Sequence, residues 1–147
     1  MAQPSIIYGY IQGADWMHSD FHKLHRLNRE VLAQLPETDP FPHLTRDMFA
    51  VSGDMVQGPT NGKAQIIHFG TSMREVEMTW RKWLDKFEGL LRKLYWFNAV
   101  VHLRAELVGD YDYEWTVDAS QIVHFYQDPP KPTSKWLFDG GPRDFDI

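Results

Sequence analysis

The stretch "AVVHLRAELVGDYDYEWTVD", Ala99 to Asp118, decides the fold. In an extended chain successive side chains point to opposite faces. Val101, Leu103, Ala105 and Leu107 therefore share one face, and His102, Arg104 and Glu106 share the other. Beyond Gly109-Asp110 the alternation resumes, with Tyr111, Tyr113, Trp115 and Val117 against Asp110, Asp112, Glu114, Thr116 and Asp118. Two alternating runs about a Gly-Asp turn predict an antiparallel hairpin with one greasy and one polar side. A greasy side needs a layer to cover it.

Upstream, "TSMREVEMTWRKWLDKFEGLLRKLYW" supplies one. Val76, Trp80, Trp83, Leu84, Phe87, Leu91 and Leu94 recur at helical spacing and form a wide apolar face. Ser72 and Glu75 have the spacing of a capping box and predict where the helix starts. Gly89 within it costs about 1 kcal/mol relative to Ala and is expected to mark close packing. A second helix is read in "DWMHSDFHKLHRLNREVLAQLP", where Phe21, Leu24, Leu27, Val31 and Leu35 recur and Pro36 stops the turn. "SIIYGYIQ" opens the chain as a strand ended by Gly13, and "MFAVSGDMV" and "AQIIHFG" make a hairpin across "QGPTNGK". "PETDPFPHLTRD" reads as a loop and "QIVHFYQD" as a further strand. Residues 127–147 read as an extended tail with Trp136 and Phe138 as anchors. The order β-α-β-β-α-β-β predicts a single α+β domain over residues 1–147, with two helices packed on one face of a mainly antiparallel sheet.

Composition narrows the function. With 15 Lys and Arg against 20 Asp and Glu, the net charge is -5. Nucleic-acid binding needs a basic footprint to displace phosphate counterions, so it is not expected. There is no cysteine, which fits a reducing compartment. The start of the chain has no basic segment before a long apolar run, and no run approaches the roughly 20 residues that span a bilayer. A cytoplasmic protein without a membrane partner is expected.

Three sets of residues invite chemistry. His18, His22 and His25 lie at helical spacing, which suits an imidazole-binding metal, and Asp15 and Asp20 are nearby carboxylates for a metal-dependent hydrolase. The H-E-x-x-H arrangement is missing, because Ser19 follows His18; the same histidines can equally border a solvated face. His68, His102 and His124 fall on strands, where His102, Arg104 and Glu106 can act in proton transfer or simply form a cross-strand polar ladder. No G-x-S-x-G elbow accompanies them. "GPTNGK" lacks the spacing of a phosphate loop, so neither a cofactor nor a resident metal is expected, and no catalytic residue is assigned.

The third set is acidic. Glu106, Asp110, Asp112, Glu114 and Asp118 are five acids in a stretch without Lys or Arg. From Trp136 onward the tail adds Asp139, Asp144 and Asp146, against Arg143 alone. A solvated strand edge explains the alternation, but mixed charges would serve solubility as well. A single-sign field attracts a basic partner and speeds encounter. These nine residues are the expected binding surface.

The runs "IIYGYI", "IIHFGTS", "WRKWLDKFEGLLRKLYWFNAVVHLRAE" and "GDYDYEW", spread over residues 6 to 115, resemble the immunity proteins of bacterial polymorphic-toxin systems. Those are small cytoplasmic partners of contact-dependent and type VI-secreted toxins. The resemblance implies stoichiometric inhibition: a heterodimer with a cognate toxin, blocking its active site or substrate surface without turnover. An adaptor using the same acidic surface for another protein is the competing reading.

Overall fold

The computed structural model describes residues 3–13, 21–52, 65–118, 131–132 and 135–147. Its elements are β1 (Ser5–Gly13), α1 (Phe21–Ala33), β2 (Phe49–Ser52), β3 (Ile66–Met73), α2 (Trp80–Leu91), β4 (Trp96–Ala105), β5 (Gly109–Val117) and β6 (Trp136–Gly140). The strands form one antiparallel sheet in the order β2-β3-β1-β4-β5-β6, and both helices cover one face. This is the expected α+β architecture. The tail contributes more than anchors, because Trp136–Gly140 pairs with β5 as a sixth strand. His18, Asp15, Asp20, His124 and "QIVHFYQD" lie outside the described residues, as does the turn of the first hairpin.

The Ala99–Asp118 alternation sets the core. Ala99, Val101, Leu103, Tyr113, Trp115 and Val117 are buried, and so are Ile7, Ile11, Ile67 and Phe69 on the same face. α2 lays Trp80, Trp83, Leu84, Phe87 and Leu91 over them. Trp80 stacks on Trp83 at 5.2 Å between ring centroids, Trp83 on Phe87 at 5.3 Å, and Phe87 meets Trp115 at 5.1 Å. Burying each such side chain contributes on the order of 1.5–3 kcal/mol. Gly9 lets β1 lie against β4: a Cβ there would stand 1.9 Å from the Val100 carbonyl oxygen and 2.8 Å from the Phe69 ring.

Polar groups pin the ends of this layer. Asn28 of α1 is buried, donates to the Tyr95 carbonyl at 2.9 Å and to Gln65 Oε1 at 3.0 Å, and accepts from the Tyr95 N–H at 2.8 Å. Gln65 in turn donates to the His25 carbonyl. Lys86 of α2 reaches Asp39 Oδ2 at 2.7 Å and the carbonyls of Pro40 and Pro42, holding the Pro-rich loop. Burial works to raise the Asp39 carboxyl, but the hydrogen bonds from Lys86 and the Leu44 N–H together hold it below its usual value.

Two local expectations are corrected. Ser72 is inside β3, paired with Ile6, and Glu75 has a left-handed backbone, so they form no capping box. A short 3-10 turn, Val76–Thr79, intervenes before α2 begins at Trp80. Gly89 is not closely packed either, since a Cβ there would meet nothing within 4 Å.

Candidate interaction surface

The outward-pointing residues of each strand make up the second face, which carries no helix among the described residues. The strand registers arrange them in rows. One row runs Ser72, Ile6, Arg104, Asp110; the next runs Gly70, Tyr8, His102, Asp112. The third runs His68, Tyr10, Val100, Glu114, Asp139, and the fourth Ile66, Gln12, Asn98, Thr116, Leu137. Reading across the sheet, β3 and β1 supply neutral and aromatic side chains, β4 adds His102 and the cation Arg104, and β5 and β6 supply the acids together with Thr116 and Leu137.

The aromatic half is open to solvent. Ile6 is 49% exposed and Tyr8 40%. Tyr8, Tyr10, Gln12, Ile66, His68 and His102 line a groove of about 460 Å³. Ser52 Oγ lies 2.9 Å from His68 Nε2, and among the described residues no carboxylate bonds to His68.

The acidic half is not uniform. Asp112 Oδ1 accepts from His102 Nδ1 at 2.6 Å and from Arg104 Nη1 at 3.1 Å. These two bonds hold its carboxyl below the usual carboxylate range. An ionised carboxylate only accepts, so the proton of that bond sits on His102 Nδ1. Asp110 pairs with Arg104 at 3.8 Å. Of the expected His102, Arg104 and Glu106 set, His102 and Arg104 form a cross-strand polar ladder with β5, one of the two expected readings, and Glu106 is not part of it. Glu114 and Asp139 differ: they are exposed, face each other directly across β5 and β6, and have no ion-pair partner among the described residues. Like charges directly opposite destabilise a strand pair.

The other expected binding residues lie elsewhere. Glu106 is in the exposed β4–β5 turn and accepts from the Gln3 N–H at 2.7 Å, and Asp118 is exposed just past β5. Trp136 turns toward the helices, half-buried, against Trp96 and under the Arg92 guanidinium. Asp144 takes Arg81 of α2 at 2.7 Å, and Asp146 is exposed near the end of the tail. The fold therefore gathers Asp110, Asp112, Glu114 and Asp139 on one face and leaves Trp136 and Asp144 off it. Of the helix histidines, His22 is exposed and His25 buried, so these two do not share a solvent-facing site. Among the described residues no three His, Asp or Glu stand together as a metal site.

Ile6, Tyr8 and Tyr10 were not expected at a site. Their signal was present in "SIIYGYIQ", where both parities are largely apolar and one must therefore remain outside a helix-covered face. No helix of the described residues is long and apolar enough to cross a membrane. No protein-family model, curated protein or solved structure matches the chain.

Proposed function

We propose that this protein is an immunity protein: it binds a cognate bacterial toxin in the cytoplasm, one to one, through the sheet face opposite α1 and α2. The observation that carries the reading is the composition of that face. Exposed aliphatic and aromatic side chains stand beside a same-sign edge where Glu114 opposes Asp139, neither with an ion-pair partner among the described residues. Exposed apolar surface rimmed by polar groups marks protein interfaces, and a basic partner would turn the like-charge cost at Glu114 and Asp139 into attraction. Nucleic acid and anionic membranes carry the wrong sign for it.

Inhibition is by occupancy, without turnover. The metal-hydrolase alternative draws no support from His22 and His25, which differ in exposure, and His102 is already engaged by Asp112. Co-expression in a sensitive cell with a toxin domain encoded beside this gene tests the reading. Restored growth is expected; arrested growth despite soluble protein would contradict it. An adaptor role predicts the latter result.

A further inference from the structure

We infer that the partner is anchored by an apolar or aromatic side chain in the Tyr8–Tyr10 groove, while Glu114 and Asp139 act mainly on encounter. The inference rests on the binding role proposed above and assigns its two kinetic steps to different strands.

Tyr8 is exposed yet held. The His102 ring lies 4.8 Å from it and the Arg104 guanidinium 5.7 Å above it, and Asp112 fixes both neighbours. An aromatic ring fixed before binding loses little freedom when a partner packs on it, which is what an anchor requires. The ionic groups beside the groove, Arg104 and Asp112, already satisfy each other. A charged side chain entering the groove would lose water and find no free counter-ion among the described lining residues. An apolar one gains from burial on Tyr8, Tyr10 and Ile66. The groove therefore selects an apolar occupant.

The acids then place the rest of the partner. Glu114 lies two strands from Tyr10 in the same row, and Asp139 three. With strands about 4.8 Å apart, a partner's basic groups should stand roughly 10–15 Å from its apolar anchor. A second copy of this chain does not fit, because it would bring the same acidic half to an acidic neighbourhood.

Stopped-flow binding to the adjacent toxin domain tests the division. Tyr8→Ala and Tyr10→Ala should speed dissociation about tenfold or more, with association changed less than about twofold. Tyr8→Phe, which keeps the ring, should dissociate like wild type. Glu114→Gln with Asp139→Asn should slow association several-fold and flatten its salt dependence, leaving dissociation nearly unchanged. Should the alanine variants fail to fold, tyrosine nitration of wild type decides: Tyr8 should be protected in the complex relative to the free protein. Wild-type dissociation of folded Tyr8→Ala and Tyr10→Ala, or an unprotected Tyr8 in the complex, overturns the anchor and leaves the binding role standing. Failure of wild type to form any complex overturns both.

Discussion

Tyr113 and Tyr8 belong to opposite faces of one sheet and meet opposite fates. Tyr113 is 1% exposed, touches Trp80 and Phe138, and donates to the Pro142 carbonyl at 2.6 Å. Tyr8 is 40% exposed and leans on His102 and Arg104. The same residue type is core where α2 covers it and a platform where no helix of the described residues does. Side-chain chemistry alone does not separate stability from recognition here; the layer above the sheet does. Substitutions on the two faces should therefore move different quantities.

The largest effect is expected on the covered face. Trp83 is fully buried between Trp80 and Phe87 and donates to the His43 carbonyl at 3.1 Å. Trp83→Ala should cost about 3–5 kcal/mol in urea unfolding, a large part of the roughly 5–15 kcal/mol of a domain. An unchanged midpoint would break the comparison. Next is Glu88, a buried carboxylate of α2 that accepts from Trp115 Nε1 at 2.9 Å and from Arg143. Glu88→Ala strands an indole N–H and part of a guanidinium, and should cost about 2 kcal/mol in the same assay. Unfolding that matches wild type would mean that Arg143 does not tie the tail to the core.

A third test uses Tyr113 itself. Burial pushes its phenol up to about 12, against about 10 for an ordinary tyrosine. Its folded value lies above the unfolded one, so the stability it contributes is fully present below about pH 10 and is lost as pH rises through 12. Alkaline difference spectroscopy should show this phenol ionising after the ordinary ones; Tyr113→Phe should remove the late step. The smallest effect is expected at the exposed acids. Glu114→Gln relieves a like-charge pair and should leave stability within about 0.5 kcal/mol of wild type, on the stabilising side. A clear loss in thermal unfolding would show that Glu114 has a structural partner.

How far these regions were legible in the sequence follows from the same asymmetry. The covered face announced itself: period-two alternation in residues 99–105 and 111–117 and helical spacing from Val76 to Leu94 both derive from one-sided burial. Leu107, expected on that face, is instead exposed in the β4–β5 turn. The capping box misled because Ser72 is claimed by sheet pairing with Ile6, a contact between residues far apart in the chain. β6 was hidden because "WLFDG" is short and lies among Pro and Gly, and only its pairing with β5 defines it. The acids of β5 were legible as a patch, but not the internal neutralisation of Asp112 by His102 and Arg104. The aromatic groove was only partly legible: the two apolar parities of "SIIYGYIQ" signal outward aromatics, but the groove itself was hidden for a topological reason. It joins β1, β3 and β4, and the strand order that makes them neighbours is not written in any local pattern.

The central claim is that the sheet face opposite α1 and α2 is where the partner binds, and one double variant tests it most directly. Tyr8→Ala with Glu114→Lys changes one outward residue in each half of that face and no residue of the core. Calorimetric titration against the toxin domain, with thermal unfolding run alongside, reads both faces at once. The account predicts a melting temperature within about 5 °C of wild type and an affinity lower by about a hundredfold or more. A folded double variant that binds the toxin as tightly as wild type would contradict it.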